Sequence, residues 1–245
     1  MVRTLDGCCM SEEGDVLFKD YHVKSALFTT LASYYRLKCK MPLDHSWGFD
    51  ITLIDGKTVA ITTGGSGEKI DIDIINTKNR SKIKFIDFPG CPFGITRYHG
   101  SLFVCVKESG IFKINMLDYT TSHVISCNLP PCSYVSVFSD KIYYTDYTDH
   151  SVVCCDHNGS AFWTFKDTLV LNEPEGIAVD NNGNVYVVGE KSSNVVIISS
   201  DGKHHKQILT ENDGLYLPSA IFLDKQNRKL IVANTNATAF LYKIL

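Results

Sequence analysis

A polar turn followed by a short β-branched and aromatic run occurs six times along this chain of 245 residues, and its spacing constrains the fold more than any other feature. The copies are Glu13-Gly14-Asp15-Val16-Leu17-Phe18, Asp55-Gly56-Lys57-Thr58-Val59, His99-Gly100-Ser101-Leu102-Phe103-Val104, Ser139-Asp140-Lys141-Ile142-Tyr143-Tyr144, Asn182-Gly183-Asn184-Val185-Tyr186-Val187 and Asn227-Arg228-Lys229-Leu230-Ile231-Val232. With Gly14, Gly56, Gly100, Asp140, Gly183 and Asn227 as anchors, successive copies stand 42, 44, 40, 43 and 44 residues apart. A period of that length holds four short strands and their turns, which is one propeller blade.

The fifth copy shows the whole unit. Gly176 to Asp180 reads as the inner strand, Asn184 to Val188 as the second, Val195 to Ser199 as the third and His204 to Leu209 as the fourth. Asp180-Asn181-Asn182-Gly183 and Ser200-Asp201-Gly202 supply residues that tolerate positive φ in tight hairpins. Strands at 8 to 12 residue spacing without helical periodicity between them exclude an alternating α/β plan. The ends complement each other. After Asn227 there is room for Leu230 to Ala233 and Ala239 to Ile244 but for no fourth strand, while Val2 to Leu5 precedes the first inner strand, Gly7 to Met10. The expectation is one all-β domain over residues 1–245, a six-bladed propeller of four-stranded antiparallel blades whose last blade is completed by the N-terminal strand. Closure of this kind removes exposed sheet edges.

Glu173-Pro174-Glu175-Gly176-Ile177-Ala178-Val179-Asp180-Asn181-Asn182-Gly183-Asn184-Val185-Tyr186-Val187-Val188 resembles the consensus of NHL-repeat propellers, Pro-x-Gly-Ile-Ala-Val-Asp followed by Gly-Asn-Val-Tyr-Val. Leu217-Pro218-Ser219-Ala220 with Lys229-Leu230-Ile231-Val232-Ala233-Asn234 is a fair second copy, and the first four repeats keep the spacing but little of the motif. The consensus has Asp after the second strand, where Gly189-Glu190 and Ala233-Asn234 depart from it. Tyr144-Thr145-Asp146 echoes the YWTD propellers of receptor ectodomains in one repeat only.

Hydrophobic residues at 44% and charged residues at 21% allow a large core and argue against disorder. The opening lacks the apolar core of a signal peptide and no run approaches the ~20 apolar residues of a membrane span, so the expectation is a cytoplasmic protein without a membrane partner. Most of the nine cysteines sit in apolar strand-like runs and read as small buried hydrophobes. In the adjacent pairs Cys8-Cys9 and Cys154-Cys155 the side chains point to opposite faces of a strand and cannot close on one ion. Asn79-Arg80-Ser81, Asn158-Gly159-Ser160 and Asn236-Ala237-Thr238 match the glycosylation pattern at its chance frequency.

The resemblance implies that partners bind on the face carrying the loops into each inner strand and the loops joining second to third strands. By repeat position that face presents Asp20, Tyr21 and His22, then Trp47 and the Thr62-Thr63-Gly64-Gly65-Ser66-Gly67 loop. Lys107 and Glu108 follow, then Tyr134, Asp146, Tyr147, Asp149 and His150, then Glu175, Glu190 and Lys191, and finally Tyr216 and Asn234. Exposed Tyr and Trp supply rigid contact area in interfaces; Trp47, Tyr134 and Tyr216 packed between blades is the alternative. The glycine-rich loop leads into the strand-like Ile70 to Ile75 and not into a helix, so it is no phosphate loop. Asp146-x-x-Asp149-His150 reads as a solvated hairpin before a metal site, and His204-His205 diverges along an outer strand. No catalytic residue, metal or cofactor is expected.

Three functions follow. The first is the client-recognition domain of a tripartite-motif ubiquitin ligase, a non-catalytic protein binder whose ligase chemistry lies in RING and B-box domains outside this sequence. The second is single-stranded RNA binding. A net charge of −3, with Asp20, Asp146, Asp149, Glu108, Glu175 and Glu190 against Lys107 and Lys191 in the mapped loops, disfavours it. The third is a lactonase or lyase-type enzyme with a metal in the channel.

Overall fold

Turns too short to cross over make each repeat fold onto itself as a meander. The computed structural model describes residues 5–11, 13–20, 25–30, 36–42, 48–64 and 70–244. The first sheet holds β1 (Leu5–Met10), β2 (Asp15–Asp20), β3 (Ser25–Thr30) and β4 (Arg36–Pro42). The second holds β5 (Ile51–Asp55), β6 (Thr58–Thr62), β7 (Asp71–Asn76) and β8 (Lys82–Asp87). Next come β9 (Pro92–Tyr98), β10 (Ser101–Val106), β11 (Gly110–Asn115) and β12 (Thr121–Ser126), then β13 (Val135–Phe138), β14 (Lys141–Asp146), β15 (Ser151–Cys155) and β16 (Ala161–Phe165). The fifth consists of β17 (Pro174–Val179), β18 (Val185–Gly189), β19 (Asn194–Ile198) and β20 (His205–Leu209). The last is β21 (Pro218–Asp224), β22 (Lys229–Asn234) and β23 (Ala239–Lys243).

In every sheet the strands lie side by side in chain order and antiparallel. Among the described residues there are thus five complete four-stranded blades and, beside them, a sheet of three strands, not the six four-stranded blades expected. The expected closing strand lies outside the described residues except for Leu5. That residue pairs with the backbone of Asp20 inside β1, on the innermost strand of its sheet and not on an outer edge.

The innermost strands pack side by side in the order β1, β5, β9, β13, β17, β21, and β21 returns against β1. Side-chain bonds reinforce the seams. Ser219 Oγ donates to the Leu5 carbonyl at 2.5 Å, and Thr62 Oγ1 donates to the Phe93 carbonyl at 2.5 Å. The second strands are mostly buried, as in the wholly buried and apolar Val185–Gly189, because neighbouring blades cover both their faces. Outer strands such as Lys82–Asp87 are covered on one side only and stay polar and exposed.

The core is a set of apolar layers between successive blades. Each adjacent cysteine pair is split between two such layers: Cys8 and Cys9 enter different clusters, as do Cys154 and Cys155. No helix among the described residues is long and apolar enough to cross a membrane.

Candidate functional site

Because each meander begins at the same end, the loops into the inner strands and the second-to-third hairpins share one face, here called upper. Backbone bonds tie the two kinds of loop together in several blades. Lys107 N donates to Cys91 O at 3.0 Å, Glu190 N to Glu173 O at 2.9 Å and Thr235 N to Leu217 O at 3.1 Å. Glu108 N also donates to Leu129 O at 2.8 Å, which fixes the β10–β11 hairpin against the segment preceding β13.

A groove of about 590 Å³ follows from that docking. Lys107 and Glu108 form one wall, Pro130 and Pro131 the floor, and Asp146 and Asp149 the other wall. Both prolines lack a backbone donor and hold φ fixed, so the floor is stiff. Asp146 Oδ1 accepts from Asp149 N at 2.8 Å, which orders its own hairpin, and Lys166 Nζ pairs with Asp149 Oδ1.

Beside the groove, Glu173 organises a second cluster. Its Oε2 accepts from the Tyr147 hydroxyl at 3.1 Å, its Oε1 pairs with Lys191 Nζ at 3.1 Å, and its N–H donates to His150 Nδ1 at 3.2 Å. Two residues further on, Glu175 is buried with no side-chain hydrogen bond among the described residues. Burial, followed by the negative charges of Glu190, Asp6 and Glu173, holds its carboxyl well above the usual range. Burial and Glu173 raise Glu190 as well.

Of the residues expected on this face, Lys107, Asp146 and Asp149 come together in the groove, and Tyr147, His150 and Lys191 gather around Glu173 with Glu190 alongside. Tyr216 is 55% exposed. Three others are interior. Tyr134, at 4% exposure, packs against Phe49, and its hydroxyl donates to the Asp6 carbonyl at 2.6 Å. Asn234 is buried and spends its side chain on the backbone of Tyr216 and Gly214 and on Thr238 Oγ1. Glu175 is the third. Tyr21, His22 and Trp47 lie outside the described residues, as do Gly65 to Gly67. The Asp146, Asp149 and His150 side chains each turn to a different partner, and no group of three or more His, Cys, Asp or Glu among the described residues is placed to hold a metal ion. Glu173 escaped the sequence reading although it opens the quoted Glu-Pro-Glu-Gly motif, because nothing local shows that Tyr147 and Lys191 converge on it.

The second feature is the central channel. A cavity of about 330 Å³ is lined by all six innermost strands. Asp50 reaches it. Its Oδ1 accepts from Ile51 N at 2.8 Å and its Oδ2 from Ile95 N at 2.9 Å, on the neighbouring inner strand. Burial raises its carboxyl to about 7, against the lowering effect of those two bonds.

With fold and sites described, comparison places the chain among β-propellers. A β-propeller repeat family model matches residues 171–194, the segment that carries Glu173 and Glu175. The chain is 26% identical over 101 residues to the E3 ubiquitin-protein ligase TRIM56 of Mus musculus. That match covers 41% of this chain and 14% of the ligase, so the chain spans only a small part of its relative's length. Among solved structures, a Bacteroides thetaiotaomicron protein of unknown function matches 98% of this chain and 69% of its own, with a TM-score of 0.80 at 12% identity. Virginiamycin B lyase of Staphylococcus aureus matches 98% of this chain and 84% of its own, with a TM-score of 0.68 at 19% identity. At these identities the likeness is one of fold. It nevertheless corrects the expectation that the chain is no enzyme: lyases are built on this architecture, so the fold gives no ground for denying catalysis.

Proposed function

We propose that this chain is a recognition domain that takes a segment of a partner protein on its upper face. The observation that carries the reading is the groove between the third and fourth blades, where a stiff Pro130-Pro131 floor lies between walls with both signs of charge. Exposed Tyr216 adds an aromatic contact on the same face. The similarity to a ubiquitin ligase supports client recognition for such a ligase as the finer form of the proposal. We read the three-stranded sheet as the sixth blade of the ring. The packing of β21 on β1 supports that reading. A reducing, cytoplasmic compartment fits the described cysteines, which are all free thiols.

Photo-crosslinking tests the proposal. A crosslinking amino acid at Thr148, in the groove, is expected to capture a defined partner in cells. One at Leu117, in the β11–β12 turn on the opposite face, is expected not to. Charge reversal of the exposed Glu108 and Asp149 (Glu108→Lys with Asp149→Lys) should abolish the Thr148 adduct while leaving the melting temperature within a few degrees. Equal capture from both faces would sink the reading. Single-stranded RNA is expected to bind only weakly, because the groove sets Glu108, Asp146 and Asp149 against Lys107. A tight, salt-sensitive RNA complex would reverse that conclusion.

A further inference from the structure

The channel cavity is independent of the upper groove and opens the other way. Its lining takes the C-terminal parts of β1, β9, β17 and β21 and starts at the beginning of β5 and β13: Cys8 to Met10, Ile51 to Leu53, Ile95 to Tyr98, Tyr134 to Val137, Ile177 to Val179 and Ala220 to Leu223, with Lys225 just beyond. The N-terminal residues of β1, β9, β17 and β21, toward the upper face, are not part of it. Toward that face Tyr134 reaches across the ring to the Asp6 carbonyl, and Asp50 bridges to Ile95. A molecule therefore enters from the lower face, past Arg97, Tyr98 and Lys225.

Among the residues that line that mouth the charges are one-sided. Arg97, on β9, and Lys225, after β21, come from opposite sides of the ring and line the same cavity. Among the described residues neither forms an ion pair. Lys225 Nζ lies 5.2 Å from the centre of the Phe138 ring, and its partial desolvation lowers its pKa, an effect that the Asp180 carboxylate opposes. Asp180 itself is occupied by the backbone of Asn182 and Asn184 and by Asn184 Nδ2. Asp50 is the only carboxylate among the lining residues, and it sits at the inner end, where burial favours its neutral form. The walls between are apolar and polar in about equal measure, with Ile95, Val135, Ala178 and Phe222 interspersed with Thr52, Thr96 and Ser136. At about 330 Å³ the volume is near the lower limit of the ~300–1,000 Å³ typical of small-molecule sites.

We propose that the lower half of the channel is a binding site for a small organic oxyanion, a one-ring or short-chain carboxylate or phosphate ester. Its head is held by Arg97 and Lys225 and its apolar body lies among the inner strands. Guanidinium and ammonium together suit an oxyanion head, the first by its planar fork and the second by its mobile point charge.

Isothermal titration of the full chain with benzoate, phenyl phosphate and neutral benzyl alcohol tests this. Saturable binding of at least one anion is expected, and the tighter of the two tells a carboxylate ligand from a phosphate. Arg97→Gln combined with Lys225→Gln should weaken that binding about tenfold or more, since hydrogen bonds to charged groups contribute ~1.5–3 kcal/mol. Ser136→Leu, which fills the cavity and leaves both charges in place, should weaken it as well. The proposal is overturned if neither anion saturates by roughly 10 mM. It is likewise overturned if benzyl alcohol binds as tightly as the anions, or if the double variant keeps wild-type affinity.

Discussion

Replacing Asp50 by alanine is expected to lower the unfolding free energy by about 3–5 kcal/mol, measured by urea denaturation. The carboxyl accepts from Ile51 N and Ile95 N, both in buried strands, and alanine leaves both donors without a partner. Each orphaned buried N–H costs ~1–3 kcal/mol, and the bond to Ile95 also joins the second blade to the third. A loss below about 1 kcal/mol would mean that channel water replaces the carboxyl, and the seam argument would fall. The same group makes stability depend on pH. Its carboxyl is raised from 3.8 to about 7 on folding, so the folded chain holds a proton that the unfolded chain releases. That contribution is fully present below about pH 4 and is lost as pH rises through 7, with an upper limit of roughly 4 kcal/mol. Glu175 and Glu190 are also raised and act in the same direction. The Asp50 share is therefore read as the difference in pH slope between wild type and Asp50→Asn. Identical slopes from pH 5 to 8 would contradict the assignment.

Gly94→Val is expected to cost at least about 3 kcal/mol or to prevent folding altogether. A Cβ at Gly94 would stand 2.4 Å from Tyr134 Cα and 2.6 Å from Ser133 O, both backbone atoms that cannot rotate away. The close approach has a purpose, since Gly94 N donates to Ser133 O at 2.9 Å and draws β9 and β13 together. Overpacking in cores ordinarily costs ~1–3 kcal/mol. Here the strand that must move also carries Tyr134, whose N–H bonds to Thr145 Oγ1 and whose hydroxyl spans the channel, so the damage spreads. Gly100→Ala is the control: a Cβ there meets nothing within 4 Å, and its effect should stay within about 0.5 kcal/mol. Comparable losses from both substitutions would point to a general glycine effect and not to the β9–β13 approach.

The strand plan was readable because it is local. In the fifth repeat the expected strands and the observed Pro174–Val179, Val185–Gly189, Asn194–Ile198 and His205–Leu209 agree to within two residues. Turn residues and apolar runs a few positions apart decide such hairpins. The positive φ expected in the fifth repeat's turns falls on Gly183 and Gly202, while in three other anchoring hairpins it falls at His99, Ser139 and Arg228, beside the anchors.

The candidate site was readable only in part. Repeat position put Lys107, Asp146 and Asp149 on one face, and in the structure the three line one groove, since every meander begins at the same end. It could not tell that Tyr134 and Asn234 on that face turn inward, nor that Glu173 would gather Tyr147, His150 and Lys191.

By itself, then, the sequence determined the repeat, the antiparallel meander, and which residues are apolar enough to fill the layers between blades. The tertiary structure alone decided what meets at the centre. Asp50 finds Ile95 across 45 residues, Tyr134 finds Asp6 across 128, and Ser219 finds Leu5 across 214. Such contacts depend on the angle at which one finished blade packs on the next. That angle is set by side-chain packing across whole interfaces and leaves no periodic trace in the chain.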